Sequence, residues 1–212
     1  MAALKIHIIG LGVTDKAEFT PAASKALAGC ERVLGSARQL EVVAAQLSGQ
    51  QIDQLPTLGD LPAYLADLNR DGVTSLAVLA SGDPLYYGIG RWFSKNVSDQ
   101  QLYFYPAVSS IQMACHELGL SLQNVEVLSL HGRPFEKIRS KLKARQTLVI
   151  LTDKNSQPKA LALECIAAGF DESRLSVCES LGYARQRVTH YDVTELLHVD
   201  IEFDPLHVTV IQ

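Results

Sequence analysis

The segment with the clearest chemical potential is residues 80–88, which read Ala-Ser-Gly-Asp-Pro-Leu-Tyr-Tyr-Gly. It follows an apolar run at residues 76–80, typical of a parallel strand that is buried on both faces. Ligands of open α/β sheets bind beyond the carboxyl ends of strands, and Ser81 and Gly82 carry little bulk that would keep a ligand from the backbone. We expect Asp83-Pro84 to fix a turn, with the proline opening the next helix. A tight strand-to-helix turn without a ligand accounts for these residues equally well.

Other segments that follow predicted strands could meet the first one at a single site. They are residues 10–12, 106–110, 131–134, 152–153 and 179–183. Gly10-Leu11-Gly12 begins like a dinucleotide fingerprint, but Asp15 stands where the third glycine belongs, so a Rossmann NAD site is not predicted. The six histidines show no metal-ligand spacing, and we expect no metal site.

Two side chains near these segments could move a proton. His131 lies beside Gly132, and histidine is the side chain whose unperturbed charge change falls nearest to neutral pH. Asp83 could act as a base, although a carboxylate that stabilises its own turn is the favoured interpretation. Arg133 follows the histidine and suits bidentate binding of a carboxylate.

Composition limits the class of protein. The chain has 212 residues, of which 47% are hydrophobic and 20% are charged, with a net charge of −4. The negative net charge means that no global electrostatic field would attract nucleic acid. No apolar run approaches the roughly 20 residues of a membrane span. The N-terminus lacks the pattern of a signal peptide. The four cysteines are scattered, which predicts reduced, mostly buried thiols in a cytoplasmic protein.

Predicted strands and helices alternate along the chain, which favours an α/β fold. Thr20-Pro21 predicts a helix start and Gly29 its end, and a further helix is expected over residues 85–95. Alternating patterns at residues 188–193 and 207–211 predict edge or antiparallel strands. We place a domain boundary near residues 106–110, giving domains at 1–108 and 109–212.

Taken in this order, the segments resemble a family, the tetrapyrrole methylases that use S-adenosylmethionine. The resemblance covers essentially the whole chain. It implies two α/β domains of the class III methyltransferase type, with the methyl donor bound in the cleft between them. The donor-binding residues that it implies are Gly10, Gly12, Ser81, Gly82, Asp83, Pro84, Ser109, Ser110, Leu130, His131, Asp153 and Leu181. For Ser109 and Ser110, a plain helix N-cap is an equal alternative.

The resemblance also implies the reaction, which is methylation of carbon 5 of a precorrin or cobalt-precorrin in cobalamin biosynthesis. Such a reaction depends mainly on alignment, so no nucleophile is expected, and His131 and Asp83 are the candidates for any assisting group. Arg133, Tyr86 and Arg91 are the expected substrate contacts. Alternatives are another precorrin carbon, ribosomal RNA or diphthamide as the target, or a non-catalytic nucleotide-binding subunit.

Expectations about assembly and extent also follow from the resemblance. We expect a homodimer, and a separate subunit that methylates carbon 15 and decarboxylates. Because the last predicted strand reaches the end of the chain, we expect no further domain and a single methylation. For the Gly-Asp-Pro segment, Gly82→Val is expected to abolish donor binding with little loss of fold.

Overall fold

The computed structural model describes residues 3–130 and 138–212, and the chain divides into two compact units, Met1–Ser109 and Ser110–Gln212. The first unit contains β1 Lys5–Gly10, α1 Pro21–Gly29, β2 Arg32–Gly35, α2 Ala37–Val43, β3 Gln51–Gln54, α3 Leu61–Arg70, β4 Ser75–Ala80, α4 Gly90–Asn96 and β5 Leu102–Tyr105. The second contains α5 Ser110–Glu117, β6 Val125–Ser129, β7 Thr147–Leu151, α6 Pro158–Ala167, β8 Arg174–Glu179, β9 Arg187–Asp192, α7 Val193–Leu196 and β10 His207–Ile211.

The first unit is built on a five-stranded parallel sheet in the order β3-β2-β4-β1-β5. Successive side chains of a strand point to opposite faces. Accordingly Ile6 and Ile8 belong to one apolar core and Ile9 to another. Since the central strands are parallel, the loops that follow β4, β1 and β5 leave the same edge side by side.

The second unit has a mixed sheet in the order β6-β7-β10-β8-β9. β6 and β7 are parallel, whereas β10 runs antiparallel to both β7 and β8. The carboxyl ends of β6, β7 and β8 therefore lie at the same edge as the start of β10. Leu148 and Ile150 pack into one core and Val149 into a second one on the opposite face.

Local sequence explains where the first helices begin. The Thr20 side chain accepts a hydrogen bond from the Ala23 N–H at 3.2 Å, and Pro21 occupies the first turn. Thr20 is therefore an N-cap, as predicted. Ser36 starts α2 with a capping box, in which its side chain and that of Gln39 each bond the other residue's N–H.

Three elements differ from expectation. The helix predicted over residues 85–95 begins only at Gly90, so Pro84 does not open it. The strand Gln51–Gln54 was not predicted, because its polar sequence lacks an apolar run and it lies at a sheet edge. His207–Ile211 is antiparallel as expected, but it is a central strand buried along its whole length.

The cysteines are free and buried, as predicted. Burial raises the pKa of the Cys30 and Cys178 thiols to about 12 and that of Cys165 to about 11. These thiols are therefore protonated and poorly reactive in the folded chain. Within the described residues, every helix is too short or too polar to cross a lipid bilayer.

Candidate functional site

The loops after β1 and β4 are joined directly to each other. The Gly82 N–H donates to the Gly12 carbonyl at 3.1 Å, and these two glycines form an isolated antiparallel bridge. The Leu11 N–H donates to the Ala80 carbonyl at 2.9 Å. The first unit thus brings two of the predicted donor-binding segments together by main-chain hydrogen bonds.

Glycines make this close approach possible. A Cβ on Gly10 would lie 2.6 Å from the Gly82 carbonyl oxygen and 2.9 Å from the Ala107 Cβ. Gly82 has φ +63°, and a Cβ there would lie 3.1 Å from the Ser109 Cα. The loops after β1, β4 and β5 therefore meet around backbone that has no room for side chains.

This packing corrects our expectation for Gly82→Val. The backbone at Gly82 is left-handed, which is costly for a β-branched residue. The added side chain would also press against Ser109. Valine at this position would strain the loop itself, so the substitution cannot be expected to leave the fold intact.

The Asp83 carboxylate organises its own turn. Its Oδ1 accepts hydrogen bonds from the N–H groups of Leu85, at 2.8 Å, and Tyr86, at 3.0 Å. This is the turn-stabilising arrangement that the sequence favoured. Beside it, the Ser81 hydroxyl accepts hydrogen bonds from Arg38, at 2.9 Å, and Gln39, at 3.0 Å.

The segment after Asp83 wraps around a single carbonyl group. The Gly90 N–H donates to the Pro84 carbonyl at 2.9 Å. A Cβ on Gly88 or Gly90 would lie 2.5 or 2.6 Å from that oxygen. Tyr87 adopts φ 60°, a left-handed conformation that tyrosine rarely takes. The sequence analysis did not predict this turn around the Pro84 carbonyl, although Gly88 and Gly90, which flank Ile89, indicated a close backbone approach.

The loop presents exposed apolar side chains. Leu85, Tyr86 and Tyr87 are 53%, 38% and 40% exposed. Arg91, another predicted substrate contact, is an exposed residue of α4 whose N–H donates to the Gly88 carbonyl at 3.4 Å. Both predicted contacts, Tyr86 and Arg91, therefore belong to this loop or to the helix that follows it.

The remaining predicted residues are distributed between the two units. Ser109 is buried beside Gly82, and Ser110 is the first residue of α5. In the second unit, Leu130, Asp153 and Leu181 follow β6, β7 and β8, so all three lie at one sheet edge. His131 and Arg133 lie outside the described residues.

Asp153 is held in a tight local motif. Its Oδ1 accepts hydrogen bonds from the N–H groups of Asn155 and Ser156 and from the Ser156 hydroxyl, at 2.9, 3.1 and 3.0 Å. Its own N–H donates to the Ser156 Oγ at 2.7 Å. The described contacts of this side chain shape the turn between β7 and α6.

A charged network fixes the loop that carries Leu181. Glu179 is 2% exposed, and both its oxygens accept hydrogen bonds from Arg187, at 2.8 and 2.9 Å. The hydrogen bonds and the charge of Glu179 raise the pKa of Arg187. Ser180 has φ 46°, and its hydroxyl donates to the Asp204 carboxylate at 2.7 Å. The loop is thereby held at both of its ends.

His207 is a residue of this edge that sequence reasoning did not select. Its Nδ1–H donates to the Asp204 carbonyl at 2.7 Å, and the residue is 7% exposed. Its Nε2 is buried and has no hydrogen-bond partner in the described chain. Burial lowers the pKa of this imidazole. Because Nδ1 carries the proton that is donated to Asp204, the buried Nε2 is a hydrogen-bond acceptor. The signal in the sequence was a histidine that opens a short strand of β-branched residues.

Comparison with known proteins identifies relatives along most of the chain. The model of the family "Tetrapyrrole (Corrin/Porphyrin) Methylases" matches residues 5–197. A decarboxylating precorrin-6Y C(5,15)-methyltransferase of Sinorhizobium is 32% identical over 184 residues, which are 87% of this chain and 44% of that protein. The chain therefore spans less than half the length of that relative. A cobalt-precorrin-7 C(5)-methyltransferase of Salmonella typhimurium is 27% identical over 201 residues, covering 94% of this chain and 96% of the relative.

Solved structures share the fold. The precorrin-6Y methylase of Archaeoglobus fulgidus superposes with a TM-score of 0.72 and 23% identity, covering 98% of this chain and 97% of that one. A uroporphyrin-III C-methyltransferase of Thermus thermophilus, solved with S-adenosylhomocysteine, superposes with a TM-score of 0.74 and 19% identity, covering 98% of this chain and 96% of that one. At these identities the likeness establishes the fold.

Proposed function

The chain belongs to the tetrapyrrole methylase family, whose members are methyltransferases that use S-adenosylmethionine. On this premise we propose that it methylates carbon 5 of a precorrin or cobalt-precorrin in cobalamin biosynthesis. The observation that carries the proposal is the convergence of the glycine-containing loops after β1 and β4 with the loop after β5. It is supported by relatives whose names specify methylation of carbon 5.

The loops of the first unit suit a donor that is bound largely by main chain. Backbone packs against backbone at Gly10, Gly12 and Gly82, and no bulky side chain intervenes. We assign donor binding to these glycines together with Ser81, Asp83, Pro84 and Ser109. In the second unit we assign it to Ser110, Leu130, Asp153 and Leu181, and we add His207, whose buried Nε2 can accept a hydrogen bond from a donor N–H or O–H.

Methyl transfer from this donor does not require a nucleophilic side chain. The bound donor supplies a methyl group on a positively charged sulfur, which needs no activation by the protein. The protein must align the acceptor carbon with that methyl group and exclude competing geometries. In the described residues Asp83 is committed to its turn. Proton removal after transfer is therefore assigned to water or to His131.

The loop at residues 85–87 is the proposed surface for the macrocycle. Its exposed leucine and tyrosines offer apolar area that suits a large, partly apolar ring. The carboxylates around such a ring require cations, and Arg91 and Arg133 are the proposed partners.

The names and lengths of two relatives support a proposal about the extent of the reaction. The match to the Salmonella protein, named for carbon 5 alone, covers 96% of that protein. The match to the Sinorhizobium protein, named for carbons 5 and 15 with decarboxylation, covers 44% of it. We therefore assign a single methylation to this chain and the second methylation to a separate subunit. The proposed assembly is a cytoplasmic homodimer, and the four buried, free thiols agree with a reducing compartment.

Mass spectrometry tests this function directly. The purified chain is incubated with S-adenosylmethionine together with a corrinoid. Separate incubations use each of the corrinoids that appear in the names of its relatives, precorrin-6Y and cobalt-precorrin-7. We expect the product to gain one methyl mass and to release no carbon dioxide. A doubly methylated, decarboxylated product would refute the proposed single methylation. If the corrinoid is unchanged although the chain binds the donor tightly, the proposed substrate is wrong.

A further inference from the structure

A second concave surface lies on the first unit, between α1 and the exposed edge of its sheet. This groove has a volume of about 730 Å³. Its floor is formed by His7, Tyr103 and Tyr105, and its wall by Ala22, Lys25 and Ala26 of α1. The glycine-rich loops lie at the carboxyl ends of the strands, and none of their residues lines the groove.

The floor is a flat aromatic platform. The rings of His7 and Tyr103 are stacked, with centroids 4.9 Å apart and planes inclined by 15°. The Tyr105 hydroxyl is hydrogen-bonded to the His7 Nδ1 at 2.9 Å, which fixes the imidazole between the two tyrosines. Tyr103 remains 41% exposed and lines the groove, so part of this residue is accessible to a ligand.

The rim of the groove is positively charged. Lys5 and Lys25 line it, and across residues 3–130 and 138–212 neither lysine is in an ion pair. The Glu31 carboxylate accepts hydrogen bonds from the Thr74 N–H and hydroxyl. It keeps its negative charge there, so the two lysines leave the groove a net excess of one positive charge over this carboxylate. Burial and the charge of Lys5 lower the pKa of His7, which favours the neutral form of its imidazole.

We propose that this groove binds a planar heteroaromatic anion of mononucleotide size. The platform at Tyr103 and His7 stacks on the ring, and Lys5 and Lys25 meet the phosphate or carboxylate. The small side chains of Ala22 and Ala26 leave the depth that a stacked ring needs. The volume lies within the range of small-molecule sites, roughly 300–1,000 Å³. None of the described residues that we assign to the donor or the corrinoid lines this groove, so its ligand need not compete with either.

Calorimetry with adenosine 5′-monophosphate as the probe tests the site. The titration is performed on the whole chain in saturating S-adenosylhomocysteine, so that the donor site cannot take up the nucleotide. We expect binding by the wild type, and binding about tenfold weaker for adenosine and for ribose 5-phosphate, which each lack one half of the recognition. Tyr103→Ala and Lys25→Ala should each weaken nucleotide binding by about fivefold or more, whereas Tyr103→Phe should retain it.

The matched control is Lys95→Ala, which removes an exposed lysine of α4 outside the groove and should bind as the wild type does. Equal affinity in Tyr103→Ala, Lys25→Ala and Lys95→Ala would overturn the proposal, and so would the absence of heat at millimolar nucleotide. A third result would also overturn it. If Tyr103→Ala converts a dimer to a monomer in light scattering without changing nucleotide binding, the groove is an interface between two copies of the chain.

Discussion

At the scale of single residues, Asp83 shows how one carboxylate can suggest two roles. Its position after Gly82, in a candidate ligand loop, suits a catalytic base. The structure instead has its Oδ1 accept two backbone hydrogen bonds in the following turn. Only the catalytic role requires the negative charge. The amide oxygen of an asparagine can accept the same two hydrogen bonds, but an amide cannot act as a base.

We therefore predict that Asp83→Asn retains donor affinity and methyl transfer to within about threefold, since the turn survives. Asp83→Ala should lose both hydrogen bonds, at a cost of about 1–3 kcal/mol in the free energy of unfolding, and should bind the donor more weakly. Calorimetry with S-adenosylhomocysteine and denaturant unfolding measure the two effects. A large loss of rate in Asp83→Asn with unchanged donor affinity would instead identify a base.

A second prediction at this scale concerns His207. Burial lowers the pKa of its imidazole from the ordinary 6.5, against the opposing influence of the Asp204 carbonyl and of Glu179. Below that value the unfolded chain takes up a proton that the folded chain does not bind. The free energy of unfolding is thus fully retained above pH 6.5 and falls as the pH drops through it, by up to about 1.4 kcal/mol per pH unit.

The test compares denaturant unfolding of wild type and His207→Asn between pH 5 and pH 8, since the asparagine amide can still donate to the Asp204 carbonyl. We expect a flatter pH dependence in the variant. The pKa of His7 is also lowered, by burial and by Lys5, so part of the slope should remain. If the free energy of unfolding depends on pH equally in the two proteins, folding does not lower the pKa of His207.

At the scale of elements, the apolar runs predicted the strands that are buried on both faces. They did so because such strands need hydrophobic residues throughout. The polar strand at residues 51–54 escaped prediction, since an edge strand is defined by its neighbour and not by its own sequence. The late start of α4 escaped for a related reason. Gly88 and Gly90 allow the chain to wrap around the Pro84 carbonyl, a tertiary contact that periodicity cannot report.

The same distinction applies to the candidate site. Glycine, serine and proline after the strands predicted segments of close backbone approach, and in the first unit the loops after β1, β4 and β5 do meet. Their part in donor binding is our proposal. The direct bridge between Gly12 and Gly82 and the buried Nε2 of His207 depend on how strands are paired. Strand order is a property of the folded sheet, and it was not readable from spacing along the chain.

The junction of the loops leads to the element-scale prediction. Gly10→Ala places a Cβ against the Gly82 carbonyl and Ala107, so it should force the loops apart. We expect a loss of about 1–3 kcal/mol in the free energy of unfolding and a marked loss of donor affinity. The matched control is Gly29→Ala at the end of α1, where a Cβ meets nothing within 4 Å. It should change stability by less than about 1 kcal/mol and leave donor affinity unchanged. Equal behaviour of the two variants would show that close packing at Gly10 is not required.

At the scale of the whole molecule, each compact unit has its own sheet and its own apolar cores. The cysteines divide unequally between the units. Cys30 lies in the first unit, whereas Cys115, Cys165 and Cys178 lie in the second. Because all four are buried, a thiol reagent can reach them only when the unit that contains them opens.

This division gives a prediction about the methyl donor. If the donor is held by residues of both units, as we propose, saturating S-adenosylhomocysteine should slow the labelling of all four thiols, because a ligand stabilises whatever it binds in the folded state. The measurement is the time course of labelling with a chromogenic disulfide under mildly denaturing conditions, with and without the ligand. Cys30→Ala identifies the phase that belongs to the first unit. Protection of Cys30 alone would confine the donor to the glycine-rich loops of the first unit, and our assignment of Leu130, Leu181 and His207 to donor binding would then be wrong.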